Sequence, residues 1–130
     1  MTQYLVRSIA RPDPVTVSRD TPIRNAVAQI IDARTPAALV IRDDGKLAGI
    51  LTQKDCFRPA LHASYHQEWA GSVADFMSEA VVTVEAGYDV VRAAEMFLEH
   101  PHRVFPVLEE GRLAGILLRS DVLELLSRIG

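Results

Sequence analysis

The chain has 130 residues, of which 48% are hydrophobic and 24% are charged, and its formal net charge is -3 at pH 7. These values are ordinary for one soluble globular domain, and a negative chain with scattered Lys and Arg residues gives no electrostatic case for nucleic acid. No apolar run approaches the ~20 residues that span a bilayer, and the N-terminus lacks the apolar core of a signal peptide, so we expect a cytoplasmic protein without a membrane partner.

The chain begins with a lead-in, 1–14, after which the β-branched run 15–17 predicts a short strand. A helix follows. We expect Thr21 to cap it and Pro22 to begin it, because a proline at the first helical position loses no hydrogen bond. The helix is predicted from apolar residues that recur at helical spacing on one face: Ile23, Ala26, Val27, Ile30 and Ile31.

Two strands and a second helix complete this unit. Residues 37–41 and 46–51 are apolar enough for buried strands, and the tight turn at 42–45 between them predicts a hairpin. The second helix starts at 52–55, and we expect Pro59 to end or kink it. The first half of the chain therefore predicts a β-α-β-β-α unit.

A long sequence repeat indicates that the second half of the chain copies this unit. Residues 45–55 read GKLAGILTQKD and residues 111–121 read GRLAGILLRSD, and a match of this length indicates a duplicated fold. The strand at 15–17 returns at 82–84. The helical spacing returns in a second apolar set: Val90, Ala93, Ala94, Phe97 and Leu98.

The second copy ends like the first, with strands at 104–108 and 112–117, a turn at 109–111 and a closing helix at 121–128. The fold class is therefore α/β (α+β), with two pseudo-symmetric β-α-β-β-α repeats. Each repeat is too small to bury its helical faces alone. We therefore expect the two copies to pack around one core.

These repeats resemble a known family. The tandem units, the stretch G-I-L-T-Q-K-D at 49–55 and the lead-in V-A-D-F-M-S at 73–78 are similar to a pair of CBS domains. This is the cystathionine β-synthase type, and the pair is often called a Bateman module. The resemblance places repeat 1 at 9–60, a connecting segment at 61–72 and repeat 2 at 73–130. It implies a regulatory or sensor module, not an enzyme, and no catalytic cofactor.

The resemblance also implies a ligand and partners. Such pairs commonly bind adenosine-containing ligands between their two repeats, so we expect bound AMP, ADP, ATP or S-adenosylmethionine. It further implies a homodimer and a regulated protein that the sequence does not identify. The alternative is a structural dimerisation or docking module without a physiological nucleotide, which Leu118 supports and which fold alone does not exclude.

A nucleotide site is implied residue by residue. In the family the motif aspartate binds ribose, so Asp55 would hold the ribose hydroxyls, with Thr52 and Lys54 towards the phosphate. Further matching positions would line the adenine pocket or contact phosphate: Ser78, Val81, Val82, His102 and Arg103. These residue types suit the chemistry, because a carboxylate can accept two hydrogen bonds from a diol and cationic side chains meet phosphate charge.

The second copy departs from this motif. Leu118 stands where threonine or serine is expected, and leucine can donate no hydrogen bond to ribose or phosphate. Arg11, Ser120 and Asp121 remain for a second site, which we expect to be weaker, altered or empty. If only one site binds nucleotide, we expect it to be the Asp55 site.

Simpler roles compete with these assignments. Thr52 and Asp55 have the form of a helix capping box, and Asp121 has the form of an acid in a first helical turn. His62 and His66 have i, i+4 spacing, which can present two imidazoles to a metal. No third ligand is evident, so we expect a structural or surface role for both histidines.

Cys56 is the only cysteine, so the sequence predicts no disulfide framework and no thiolate metal cluster. Its position at a helix start can lower a thiol pKa, but we favour a buried, inert thiol. The sequence offers no nucleophile–base pair and no phosphate-cradling glycine loop. We therefore predict that the chain is not an enzyme.

Overall fold

A computed structural model describes residues 4–130 of the protein. Its elements in chain order are α1 (Val6–Ile9), β1 (Thr16–Val17), α2 (Ile23–Ala33), β2 (Ala37–Ile41), β3 (Leu47–Thr52), a 3-10 turn (Lys54–Cys56), α3 (Phe57–His66), a second 3-10 turn (Val73–Asp75), β4 (Val84–Glu85), α4 (Val90–Glu99), β5 (Val104–Glu109), β6 (Arg112–Leu118) and α5 (Arg119–Ile129). Within this range, no helix has the length and apolar character needed to cross a membrane.

The strands form two three-stranded sheets with the same topology, β1-β2-β3 and β4-β5-β6. In each sheet the first two strands are parallel and the last two form an antiparallel hairpin. Val40 pairs with Gly49 in one hairpin, and Val107 pairs with Gly115 in the other. The register shifts beside both pairs. The predicted duplication and its α/β class are therefore confirmed.

The chain divides into two compact units, and one of them combines two separate stretches of the sequence. The first-repeat unit comprises residues 15–81, and the second-repeat unit comprises 4–14 together with 82–130. Each unit therefore holds one sheet and a lead-in segment, 73–81 or 4–14. The repeat bounds drawn from the family resemblance stay a prediction.

Each unit has its own buried core, whereas the sequence led us to expect one core for both copies. In the first-repeat unit the core residues are Val17, Ile23, Ala26, Ile30, Ala38, Val40, Leu51, Cys56 and Val73. In the second-repeat unit they are Val6, Val84, Ala86, Val90, Ala93, Phe105, Val107, Leu117 and Val122. Val73 and Val6 both belong to lead-ins and are fully buried. The lead-ins therefore supply apolar surface that each β-α-β-β-α repeat lacks.

In the first-repeat unit, the lead-in pairs with the return strand β3 at one residue. Ser78 and Ile50 exchange two backbone hydrogen bonds of 2.9 Å. This approach leaves no room for a side chain on Gly49, where an added Cβ would lie 2.5 Å from the carbonyl oxygen of Ser78.

The second-repeat unit repeats the contact on β6. Arg11 donates to Ile116 at 2.8 Å and accepts from it at 3.0 Å through backbone groups. A Cβ on Gly115 would lie 2.3 Å from the carbonyl oxygen of Arg11. The glycine inside the repeated sequence therefore makes room for the lead-in, and Arg11 and Ser78 are equivalent positions.

Two predictions about helix ends were wrong. The hydroxyl of Thr21 accepts the backbone N–H of Ser18 at 3.0 Å, and α2 begins at Ile23 without a side-chain cap. Pro59 does not end its helix, because it is the third residue of α3, which continues to His66. The first N–H groups of a helix have no partner within it, so the proline ring removes no bond there.

Strand β4 and one helical position per repeat also differ from the prediction. The strand predicted at 82–84 covers Val84–Glu85 instead. Ile31 and Leu98, which the spacing assigned to the apolar faces, are 65% and 90% exposed. A helix packed on a small sheet buries only a narrow arc, so the residue one position beyond Ile30 already faces outward.

We predict that Gly49→Ala destabilises the protein by about 1–3 kcal/mol, the range for overpacked sites. The added methyl group would have to displace the backbone of Ser78. Urea unfolding measures the change. Gly87→Ala is the control, because its Cβ would have only an ordinary contact, 3.7 Å from the guanidinium of Arg7. Equal stability of the two variants would contradict the steric account.

Candidate functional site

Asp55 lies just past the end of β3, in the 3-10 turn that precedes α3. Its Oδ2 accepts the backbone N–H of Thr52 at 2.9 Å, and its own N–H donates to the hydroxyl of Thr52 at 3.2 Å. The predicted capping box is therefore confirmed. The box orients a half-buried carboxylate, and a carboxylate has acceptor capacity beyond the one bond it uses here.

The lead-in brings a further predicted residue to the end of β3. Ser78 is exposed and pairs through its backbone with Ile50, two residues before Thr52. Lys54 is exposed in the turn itself, and Val81 is half-buried. The first-repeat unit thus contains five of the predicted ligand-site positions, and the structure places Ser78 along the strand that leads to the capping box.

The other predicted positions belong to the second-repeat unit. His102 is half-buried, and its ring centroid lies 5.8 Å from the ring centroid of Phe105. Arg103 is exposed, and its carbonyl oxygen accepts the N–H of Arg119 at 2.9 Å, which ties this loop to the start of α5. Val82 packs on the core of the same unit. Roles for these three residues in nucleotide binding stay predictions.

Asp121, the counterpart of Asp55, is held differently. Its Oδ2 accepts from Nε of Arg11 at 2.8 Å, and its Oδ1 accepts from Nη2 of Arg11 at 3.0 Å. This bidentate ion pair raises the pKa of the Arg11 guanidinium, through the hydrogen bond first and the charge of Asp121 second. Ser120 is exposed beside it. The structure therefore brings Arg11 and Asp121 together, but as partners of each other.

The change from threonine to leucine explains the difference between the two aspartates. Leu118 has no hydroxyl to accept a backbone N–H, and α5 begins directly after it without a side-chain cap. In the first repeat Thr52 forms a capping box, and a 3-10 turn comes before the helix. One aspartate is thus fixed by its own turn and the other by an arginine from a lead-in.

Cys56 is buried in the core of the first-repeat unit. Burial, and secondly the charge of Asp55, raise the pKa of its thiol to about 11. A thiolate is the reactive form of cysteine, so the structure agrees with the predicted inert thiol.

Two further features lie away from the capping box. On α3, the ring centroids of His62 and His66 are 4.5 Å apart. Across residues 4–130, however, no three His, Cys, Asp or Glu side chains are grouped to hold a metal ion. A depression beside the start of α2 is lined by residues that include Arg24 and Trp69. The residues of the capping box are not part of its lining.

A comparison with protein-family models identifies the repeats. The model of the CBS domain matches twice, over residues 6–61 and 73–128. The chain belongs to the CBS domain family. Together the two matched segments include both lead-ins and both hairpins, so they cover the elements that position Asp55 and Asp121.

A curated relative, an uncharacterised protein of Methanocaldococcus jannaschii, is 25% identical over 121 residues, which cover 93% of this CBS chain and 42% of the relative. This chain spans less than half the length of the first curated relatives that it matches.

Solved structures share the fold over almost the whole chain. CBSX2 of Arabidopsis thaliana, a CBS-pair protein solved in complex with AMP, is 24% identical with a TM-score of 0.82, covering 97% of this chain and 98% of that one. A CBS domain pair solved with 5'-methylthioadenosine and S-adenosyl-L-methionine is 22% identical with a TM-score of 0.83, covering 99% and 100%. At these identities the likeness shows the fold.

We predict that Cys56 reacts slowly with iodoacetamide at pH 8. Its raised pKa leaves about a hundredfold less thiolate than an ordinary thiol has at that pH, and burial further restricts access. Mass spectrometry of the alkylated protein measures the rate, with the urea-unfolded chain as control. Equal rates in the folded and unfolded protein would show that the thiol is exposed.

Proposed function

We propose that this protein is a regulatory module that binds an adenosine-containing ligand at Asp55. The observation that carries the proposal is the carboxylate itself, which is half-buried at the end of β3 and oriented by the capping box with Thr52. A ribose diol can donate two hydrogen bonds to such a group. Because the turn already orients the carboxylate, binding need not order it again.

The remaining parts of a nucleotide are matched by the other proposed residues. Lys54 is an exposed cation one residue from Asp55 and suits a phosphate group. His102 and Arg103 are proposed as further phosphate contacts, and Val81 and Val82 as apolar contacts to adenine. Two solved CBS pairs support this ligand class, since one was solved with AMP and the other with 5'-methylthioadenosine and S-adenosyl-L-methionine. We therefore propose AMP, ADP, ATP or S-adenosylmethionine as the ligand.

We also propose that the module acts as a homodimer in the cytoplasm and regulates another protein. Phe57, Leu61 and Tyr65 are exposed at four-residue intervals, so they form one apolar stripe on α3. Phe57 has an exposed apolar counterpart in the second repeat, Leu123. Exposed apolar surface of this kind marks interaction sites, and a second copy presents the same stripe. A ligand would regulate by binding one conformation more tightly than another.

A structural docking module without a physiological nucleotide is the second candidate. One observation favours it: the carboxylate of Asp121 is already paired with Arg11, so one copy of the motif aspartate makes its contacts within the protein. The two candidates differ in what Asp55 does, because a docking module needs it only as a capping residue.

We predict that Asp55→Ala weakens nucleotide binding about ten- to a hundredfold, since a hydrogen bond to a charged group contributes about 1.5–3 kcal/mol. Calorimetric titration with AMP, ADP, ATP and S-adenosylmethionine measures the affinity of protein freed of carried-over nucleotide. Asp89→Ala is the matched control, because Asp89 caps α4 by accepting the N–H of Val91 at 2.8 Å. Its substitution also removes one capping hydrogen bond, so we expect a similar loss of stability.

Three outcomes decide between the candidates. Binding that is weakened at least tenfold in Asp55→Ala and unchanged in Asp89→Ala supports the sensor. No heat from any of the four ligands rejects it in favour of the docking module. Conversion of the nucleotide on mixing, abolished in Asp55→Ala, would instead show an enzyme.

We predict that the protein elutes with twice the mass of its 14.4 kDa chain, and that Leu61→Glu halves this mass by placing a charge in the apolar stripe. Light scattering at micromolar concentration measures the mass. Gln29→Glu adds the same charge at an exposed position of α2 and should leave the dimer intact. A monomeric wild-type protein would reject the dimer.

A further inference from the structure

Arg11 and Ser78 occupy equivalent backbone positions in the two units. Each exchanges two backbone hydrogen bonds with the residue that follows the repeated glycine, Ile116 for Arg11 and Ile50 for Ser78. The backbone contact is therefore the same in both units, while the side chain at this position differs. In one unit it is a short hydroxyl, and in the other it is a long cation.

The guanidinium of Arg11 engages both carboxylate oxygens of Asp121, at 2.8 and 3.0 Å. Planar bidentate pairing of this kind is among the stronger charge-assisted hydrogen-bonding arrangements. A ribose diol would need the same acceptor oxygens. The Asp121 side chain is 20% exposed and that of Arg11 is 61% exposed, so the arginine lies on the solvent side of the pair.

We propose that Arg11 is a built-in occupant of the Asp121 site, and that it limits nucleotide binding to one molecule per chain. This inference rests on the proposed function, because it assumes that the motif aspartate is the group a ribose would use. Arg11 takes the place that a ligand's ribose hydroxyls would take. The second repeat thus retains the motif aspartate, but the carboxylate of Asp121 binds Arg11 of the lead-in 4–14.

Leu118 and Arg11 act together in this account. Because position 118 is not threonine, no hydroxyl is available there for a capping box with Asp121. The carboxylate of Asp121 instead accepts hydrogen bonds from the guanidinium of Arg11. In the first repeat the capping box holds Asp55, and the equivalent lead-in residue is the neutral Ser78. Opening the second site therefore requires both changes, Arg11→Ser to vacate the carboxylate and Leu118→Thr to orient it.

The test is the stoichiometry of calorimetric titration with AMP, and separately with S-adenosylmethionine. We expect one ligand per chain for the wild-type protein and two for Arg11→Ser/Leu118→Thr. With Asp55→Ala added, the double variant should keep one. Arg7→Ser is the control, because it removes another lead-in arginine from an ion pair, with Glu109 at 3.1 Å, and should leave one ligand per chain.

Two results would overturn the role of Arg11 and leave the proposed Asp55 site intact. Two ligands per wild-type chain would show that Arg11 does not block binding. One ligand per chain in the double variant, with its circular dichroism unchanged, would show that nothing was opened. Conversely, a wild-type protein that binds none while the double variant binds one would reject the Asp55 site and keep the role of Arg11.

A second measurement tests the ion pair without any ligand. Thermal melting of Arg11→Ser, Asp121→Asn and the variant with both changes forms a double-mutant cycle. A direct pair predicts that the second change shifts the melting temperature less once the first is made. Strictly additive shifts would show that the two side chains do not interact in solution, and would overturn the proposal.

Discussion

The close approach of a lead-in backbone to a glycine of the return strand is the constraint on which both units depend. A Cβ on Gly49 or Gly115 would lie within 2.5 Å of the approaching carbonyl oxygen. Because these positions are glycine, the lead-in can come close enough for its backbone N–H and C=O groups to pair with those of the return strand. Such groups are costly to bury without a partner. The same lead-in segments contribute Val73 and Val6 to the two cores. In the second-repeat unit, the contact also places Arg11 where its side chain reaches Asp121.

The two aspartates show how one backbone arrangement supports different chemistry. Asp55 is oriented by a bond within its own turn, so its carboxylate keeps capacity for a ligand. Asp121 is oriented by Arg11, which uses both of its oxygens. We attribute this change to two side-chain differences, Leu118 in place of threonine and Arg11 in place of serine. The duplicated fold therefore need not imply duplicated binding, and the chain's asymmetry follows from local hydrogen bonding.

Features encoded within a few residues were predictable from the sequence. The hairpins were placed within a residue or two because the apolar runs end at turn glycines, Gly45 and Gly111, whose φ angles are 82° and 78°. The capping box was readable from Thr52 and Asp55 alone. The family resemblance assigned Arg11 and Asp121 to one site, but it did not predict that they form an ion pair. The pair joins residues 110 apart in sequence, and an arginine between alanine and proline gives no local sign that it binds a carboxylate. The separate cores depend on which sheet each lead-in joins, which no local pattern encodes.

A crystal structure of the protein grown with saturating AMP would show which aspartate binds the ribose. We expect electron density for one nucleotide per chain, with its ribose hydroxyls within hydrogen-bond distance of the Asp55 carboxylate and the Arg11 guanidinium still paired with Asp121. Density for AMP on Asp121 with Arg11 turned away would contradict the account, as would an ordered nucleotide that makes no contact with Asp55.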